Sequence, residues 1–378
     1  MMIRMTTEVT QRSELRVALI GGGFMSTVHA RAARAAGARI AGVATRTAEG
    51  AERTRARLEA DRAYSSVEAM LRDETIDVVH VCSPNNTHRE YALAAMRAGK
   101  SVICEKPLDT SVAGASELAD AALASGIVAS VPFVYRFHPM VREARSRVRR
   151  GLTGRLFSIS GVYLQDWLSQ IDDDDWRVSA GNGGPSRAFA DIGSHLVDVI
   201  EFVSDDRIAR LVARTRTVHA DRSRNKDITT EDVVTVVFET AAGALGTLHV
   251  SQVSAGHKNH LQFEIDAERE SLIFDQENPD ALRVGTKAGF LNAQRSDQIS
   301  PEAARYSLVP AGHPQGYQDA FNAFIADTYT AVRTGETPDG LPTFADGHRA
   351  ALITDAVLRS QRSRAWVETV AQSAARVA

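Results

Sequence analysis

A chain of 378 residues with 44% hydrophobic side chains is longer than one ordinary core and points to two domains. Its 44 basic and 47 acidic side chains leave a formal net charge of -3 with no long basic run, which argues against nucleic acid and anionic membrane and favours a small neutral ligand.

The first fourteen residues, MMIRMTTEVTQRSE, lack the apolar core of a signal peptide and read as a frayed tail. No stretch reaches the roughly 18 apolar residues of a membrane span. From Leu15 to about Val134, short β-branched runs alternate with helical stretches, the pattern of a parallel sheet covered by helices. Arg16 to Ile20, Arg39 to Ala44, Ile76 to Val81, Ser101 to Cys104 and Ile127 to Val131 read as strands, nearly all apolar as doubly covered strands are. Gly37 and Gly99 follow alanine-rich helical segments, where glycine permits a left-handed turn into the next strand. The two cysteines, Cys82 and Cys104, each close an apolar run, which predicts buried reduced thiols and a cytoplasmic protein.

After Arg136 the texture changes. A basic amphipathic helix over His138 to Arg150 precedes longer runs of alternating polarity, such as His260 to Asp266, where Leu261, Phe263 and Ile265 share a face. With Arg155 to Gln165, Arg207 to His219, Asp232 to Glu239, Ala244 to Val253 and Ser271 to Phe274, they predict an open, mostly antiparallel sheet with helices on one side. Helices over Gly316 to Thr334 and Ala345 to Arg362 close the chain, the second near the domain junction. The expected fold class is α/β, with a Rossmann dinucleotide-binding domain over residues 1–136 and a C-terminal α+β substrate-binding and oligomerisation domain over 137–378. The uncovered sheet face predicts a homodimer or homotetramer.

The strand ending at Ile20 runs into Gly21-Gly22-Gly23-Phe24-Met25-Ser26 and then a helix, where a dinucleotide fingerprint brings backbone N–H groups to a pyrophosphate. Gly21 and Gly23 supply the tight turn and close approach; Ser26 replaces the third glycine and must fit between helix and strand or contact phosphate. At the end of the second strand, Thr45-Arg46 stands where NAD-selective sites carry an acid. Arg46 is able to accept a 2′-phosphate, stack on adenine or lie in solvent, so NAD and NADP both remain open.

Three further segments complete the pattern: Cys82-Ser83-Pro84-Asn85-Asn86-Thr87-His88, Cys104-Glu105-Lys106-Pro107 and Asp191-Ile192-Gly193-Ser194-His195. Together they resemble the glucose-fructose oxidoreductase, inositol dehydrogenase and rhizopine-catabolism family, Gfo/Idh/MocA, over nearly the whole chain. Tyr163-Leu164-Gln165-Asp166-Trp167, followed by Trp176-Arg177, is similar to its levoglucosan dehydrogenase and glycoside 3-dehydrogenase branch. The chain departs from the family pattern at Ser26 and at Gly183-Gly184-Pro185-Ser186-Arg187. The resemblance implies that Ser83, Pro84, Asn85 and His88 line the adenosine and ribose side, that Glu105 and Lys106 sit beside the nicotinamide with a cis bond before Pro107, that Trp176 and Arg177 flank the coenzyme, and that NAD is favoured over NADP.

Oxidising a secondary alcohol needs a base, a group to hold the developing alkoxide, and a fixed carbon. Asp191 and His195, four residues apart, would share a helix face; His195 takes the hydroxyl proton, Asp191 orients imidazole or substrate, and Lys106 stabilises the oxygen and favours the deprotonated base. The same Asp and His could instead be a surface pair or metal ligands, but no third ligand stands at matching spacing, so no metal is expected. Asp198 reads as a structural partner. For the substrate, Tyr135, Arg136, Gln165, Trp167, His313 and Tyr317 are candidates, with core packing or solvent exposure as the alternatives; Asp172 to Asp175 read as a solvated loop. The expected function is an NAD(P)-dependent sugar, glycoside, anhydro-sugar or cyclitol dehydrogenase. An NAD-dependent glycoside hydrolase with transient oxidation and a non-catalytic nucleotide or sugar sensor are the competing readings.

Overall fold

The computed structural model describes residues 14–369 except Asp297; apart from Glu14, the predicted tail lies outside the described residues. Six parallel strands, β1 (Arg16–Ile20), β2 (Arg39–Ala44), β3 (Arg62–Ala63), β4 (Val78–Val81), β5 (Ser101–Cys104) and β6 (Ala129–Ser130), form a sheet in the order β3-β2-β1-β4-β5-β6. The order runs outward from β1 both ways, so the switch point lies between β1 and β4 and a crevice opens above their carboxyl ends. Helices α1 (Phe24–Ala35), α2 (Ala48–Leu58), α3 (Val67–Leu71), α4 (His88–Arg97) and α5 (Val112–Ser125) connect the strands. Thr47, Ser66 and Ser111 cap α2, α3 and α5 by accepting a first-turn backbone N–H, each cap contributing about 1 kcal/mol. As predicted, Gly37 and Gly99 take positive φ, 75° and 71°.

The second sheet has nine strands: β7 (Leu156–Leu164), β8 (Ile208–Arg216), β9 (Val233–Thr240), β10 (Leu245–Ser251), β11 (His260–Ala267), β12 (Ser271–Asp275), β13 (Ala281–Thr286), β14 (Gly289–Gln294) and β15 (Val367–Glu368), in the order β14-β13-β12-β11-β7-β10-β9-β8-β15. Every neighbouring pair is antiparallel except β10 and β7. One face is buried under helices α6 (Pro139–Arg149), α8 (Ser194–Ser204) and α11 (Phe344–Ser363). Gly161 on β7 permits the closest approach, since a Cβ there would meet Ile200 Cδ1 at 2.9 Å and Leu196 Cδ1 at 3.0 Å. On the opposite face Val237 and Leu245 are 40% and 58% exposed. Short helices α7 (Ala180–Gly183) and α9 (Pro301–Ala304) lie in the connections.

Helix α11 packs against both α5 and β8. The remaining helix, α10 (Tyr317–Thr334), departs from a division drawn at residue 136: it returns to the first sheet, packs on α1, and shares one core with Leu15, Val17, Leu19 and Ile40. Its Phe321, Phe324 and Tyr329 are at most 1% exposed, so their burial stabilises the first half by several kcal/mol, at about 1.5–3 kcal/mol for each large side chain.

Candidate active site

The glycine turn lies between β1 and α1, at the switch point of the first sheet. Gly21 has φ 117°, and a Cβ there would meet Cys82 O at 2.4 Å, so glycine is required where the turn passes β4. Around a Cβ at Gly23 there is open space, and no side chain caps α1, so its first-turn N–H groups face the crevice uncommitted. A pyrophosphate fits that cradle. Ser26 does not reach the phosphate side: it is fully buried and donates to Gly21 O at 2.9 Å, bracing the turn from within. Phe24 and Met25 line the cleft, and Thr45 and Arg46 line an adjoining cavity of about 590 Å³ with Ser83, Pro84 and Trp176. Among the described residues exposed Arg46 has no side-chain partner, whereas Thr45 donates to Thr47 O at 2.8 Å.

The loops after β4 and β5 are tied together by His88, whose ring nitrogens lie 2.9 Å from Ser83 O and 2.8 Å from Pro107 O. His88 is 1% exposed and acts as a brace between loops, a role its neighbours in the motif do not share. Asn85 donates to Gly183 O at 3.1 Å and so joins the first half to the segment that roofs the crevice. Lys106-Pro107 is a cis peptide, as expected.

The main cleft, about 850 Å³, is lined by Gly21, Gly23, Glu105, Lys106, Asp191 and His195 among others. Asp191 lies in a π-helical turn, Phe189–Gly193, that leads into α8. Glu231 Oε1 anchors this turn by accepting from Ser186 Oγ (2.6 Å), Arg187 N (3.0 Å) and Phe189 N (3.0 Å). Lys106 Nζ donates to Asp191 Oδ1 at 2.6 Å and to Asp191 O at 2.9 Å, while Gln252 Nε2 donates to Oδ2 at 2.7 Å. Burial alone would raise the Asp191 carboxyl, but the charges of Lys106 and Arg177 and the Lys106 hydrogen bond outweigh it and hold it at about 2.

These bonds correct one expectation: both Asp191 oxygens are committed to Lys106 and Gln252, and no hydrogen bond joins Asp191 to the imidazole. His195 Nδ1 is buried without a partner among the described residues, which leaves Nε2 with access to the cleft. Its ring is held edge-on by Phe133 and Tyr135, with centroids 5.7 and 5.2 Å away. Desolvation first, and then the Lys106 charge, lower its pKa to about 3, so the imidazole is neutral at working pH.

The opposite wall is polar and aromatic. Tyr135 and Tyr163 hydroxyls are 2.6 Å apart, Tyr163 donates to Asn259 Oδ1 at 2.8 Å, Gln165 Nε2 donates to the same oxygen at 2.8 Å, and Trp167 Nε1 donates to Gln165 Oε1 at 2.9 Å. Tyr317 lines the cleft too. Two candidates do not. Arg136 follows Tyr135 in a 3-10 turn and points away, buried and paired with Asp198 and Asp346; Asp198 is thus the structural partner expected. His313 is exposed and turned back to Pro310 O at 3.2 Å. Trp176 and Arg177 do line the crevice, stacked with the guanidinium 4.4 Å from the ring. The acidic run is organised rather than simply solvated: Asp175 caps the turn at Trp176 by accepting from Arg177 N at 3.0 Å, and Asp174 accepts from Arg224 N at 2.6 Å and Asn225 N at 2.9 Å. Lys258 and Asn259 line the cleft, and fully buried Gln252 reaches it only through Asp191; sequence reading missed all three, which lie beside strand ends with no motif to flag them. A His and two carboxylates with ligand atoms within 4.8 Å of one another, His260, Asp275 and Glu277, lie outside this cleft.

Residues 15–133 match the model of the oxidoreductase family with an NAD-binding Rossmann fold, and residues 141–273 match the GFO/IDH/MocA C-terminal domain. The chain belongs to the GFO/IDH/MocA oxidoreductase family. It is a nicotinamide-dependent oxidoreductase, and NAD and NADP are both compatible with the family. Among GFO/IDH/MocA relatives it is 30% identical to the levoglucosan dehydrogenase of Pseudarthrobacter phenanthrenivorans over 94% of this chain and 98% of that protein, and 27% identical to inositol 2-dehydrogenase 2 of Saccharopolyspora erythraea over 92% and 93%. A levoglucosan dehydrogenase solved with NADH and levoglucosan superposes with TM-score 0.88 at 29% identity, covering 94% of this chain and 99% of that one. Among the described residues no helix is long and apolar enough to cross a membrane.

Proposed function

We propose that the protein reversibly oxidises a ring secondary hydroxyl of a neutral sugar, glycoside, anhydro-sugar or cyclitol, with C3 of a glucose-like ring as the first position to test. The observation that carries this reading is the convergence of Lys106, Asp191 and His195 on one cleft with the glycine turn and Glu105. Similarity to levoglucosan and inositol dehydrogenases supports the substrate class. Neutrality is favoured by charge: Lys106, Lys258 and Arg177 are each balanced by a carboxylate, Asp191 (2.6 Å), Asp166 (2.6 Å) and Asp175 (3.1 Å), so these three bring no uncompensated charge to the cleft for a substrate phosphate.

When bound, the nicotinamide supplies the hydride acceptor; Gly21, Gly23 and the start of α1 hold the pyrophosphate, and Ser83, Pro84, Trp176 and Arg177 flank the rest. His195 Nε2 accepts the hydroxyl proton. Lys106 has three donors, gives two to Asp191, and turns the third to the developing alkoxide. Asp191 acts by holding Lys106, and Gln252 holds Asp191. Gln165, Asn259 and Trp167 offer hydrogen bonds and an aromatic face to the ring. In this reading residues 14–136 carry most of the coenzyme site and Lys106, residues from 137 on supply the remaining substrate groups with Trp176 and Arg177 reaching across to the coenzyme, and α10 completes the first half. Free Cys82 and Cys104 fit a reducing compartment.

Absorbance of reduced nicotinamide, followed with levoglucosan, myo-inositol, glucose and aryl glucosides, tests the function. Production with a polyol supports it. Release of aglycone without net reduction would favour the hydrolase, and binding without either reaction would favour a sensor.

Arg46 gives a coenzyme prediction. Its unpaired guanidinium at the adenosine cavity is expected to meet a 2′-phosphate, so Arg46→Ala should weaken NADP by roughly 10-fold, the size of one charge-assisted contact, and leave NAD nearly unchanged. Equal loss for both coenzymes, or a strong wild-type preference for NAD, would remove that role.

We also propose assembly through the open face of the second sheet, where Val212, Val237 and Ile273 lie in one cross-strand row with Thr247, Ser160 and Glu264. Val237→Lys is expected to shift the protein to a smaller species in light scattering. A monomeric wild type at micromolar concentration would end this proposal.

A further inference from the structure

Behind the Lys106 loop, four buried side chains that the reaction above does not use form a line across the first half of the molecule. Glu105, at the end of β5, places Oε1 2.9 Å from Nε2 of His29 on α1. His29 Nδ1 lies 2.9 Å from Nδ1 of His80 on β4, and His80 Nε2 lies 2.8 Å from the hydroxyl of Tyr329 on α10. His29, His80 and Tyr329 are each 0% exposed.

Each of the three gaps needs one hydrogen, and a neutral imidazole carries only one. If Glu105 is ionised, His29 donates to it from Nε2, and His29 Nδ1 is then an acceptor. His80 must therefore carry its hydrogen on Nδ1, and its Nε2 accepts from the Tyr329 hydroxyl. Every hydrogen points toward Glu105. The reverse order needs a protonated Glu105 and would leave the Tyr329 hydrogen without an acceptor among the described residues, since His80 is its one hydrogen-bond partner there. Burial holds His80 well below its ordinary pKa and pushes Tyr329 well above its own, so the one stays neutral and the other keeps its proton. For Glu105, burial would raise the carboxyl, but the hydrogen bond from His29 and the charge of Lys106 oppose it and the group is lowered.

We propose that His29, His80 and Tyr329 are positioning residues, a one-directional donor chain that keeps Glu105 an anion and thereby sets the Lys106 loop for its work on the substrate oxygen. The link to Lys106 is direct: Glu105 Oε2 accepts the Lys106 backbone N–H at 3.1 Å, and Glu105 itself lines the cleft. This rests on the dehydrogenase reading of that cleft. The other titratable groups near Glu105 are Lys106, His88 on α4, Cys82, Cys104, Tyr317 on α10 and His195 on α8, so the chain is isolated by changing His29 rather than by pH alone.

Nitrogen-15 NMR of the intact, histidine-labelled protein reads the tautomers directly. The expected result is a hydrogen on Nε2 of His29 and on Nδ1 of His80 at neutral pH; the opposite tautomers, or an imidazolium at either residue, overturn the proposal. Kinetics supply the second test. His29→Leu removes the donor to Glu105 and should lower kcat on the order of 10-fold or more with coenzyme KM within about twofold, whereas His29→Gln, which brings an amide N–H near the place of Nε2, should restore most of the rate. Equal loss in both variants, or full activity in His29→Leu, means the chain is only packing. Should His29→Leu fail to fold, Tyr329→Phe serves: a shifted His80 signal with lowered kcat is expected, and unchanged signals and rate overturn it. A wild type that turns over no polyol defeats the dehydrogenase reading, while the tautomers still decide the donor chain.

Discussion

Lys106→Ala is expected to lower kcat by ~10²- to 10³-fold, the cost of removing one preorganised donor from a developing oxyanion, with coenzyme affinity near wild type. The expectation comes from where the amine is already committed. Asp191 takes two of its bonds, at 2.6 and 2.9 Å, which fixes Nζ at the cleft without a flexible search and leaves one N–H for the substrate. The same change strips Asp191 of the charge that keeps its carboxyl at about 2, so the carboxyl rises and its protonation moves toward the working range. Initial rates across pH, with coenzyme binding read by fluorescence, check both parts. A variant that keeps a near-normal rate with nucleotide bound would refute the role given to the amine.

His195→Asn is expected to lower kcat by ~10²- to 10⁴-fold, the range for loss of a general base. Because desolvation and Lys106 hold His195 at about 3, the wild-type rate should show no limb near the ordinary histidine value of about 6.5 that belongs to this residue. Stability gives the complementary sign. Below about 6.5 the unfolded chain binds a proton at this position and the folded chain does not until about 3, so stability contributed by the neutral ring is lost as pH falls across that window. His138, held at about 4 by burial, acts in the same direction. Melting temperature against pH for wild type and His195→Asn measures it: the variant's acid slope should be shallower. Identical slopes would mean that His195 titrates normally in the fold.

The first sheet was legible because its longer strands are apolar runs, with Gly37 and Gly99 marking the helix ends before β2 and β5, and the motifs after β1, β4 and β5 lie on consecutive sequence. What escaped reading has physical causes. Strands β3 and β15 are two residues long, and every residue of β14 except Ala293 is exposed, so none carries an apolar pattern. Spacing of four residues placed Asp191 and His195 on a common face, but the π-helical turn breaks the α-helical period between them, and Asp191 turns to Lys106 instead. Tyr135 and Arg136 are adjacent in sequence, yet a 3-10 turn sends one ring into the cleft and the other side chain to Asp198. Gln252 and Asn259 are made functional only by the strands that deliver them, which no local signal announces.

That α10 lies on α1 has a consequence for synthesis. The hydrophobic groove of the nucleotide half stays open while some two hundred intervening residues leave the ribosome, and only the emergence of Phe321, Phe324 and Tyr329 lets it shut. The two halves are therefore interleaved along the chain as well as in space, so the first half gains its full core only once α10 has been made.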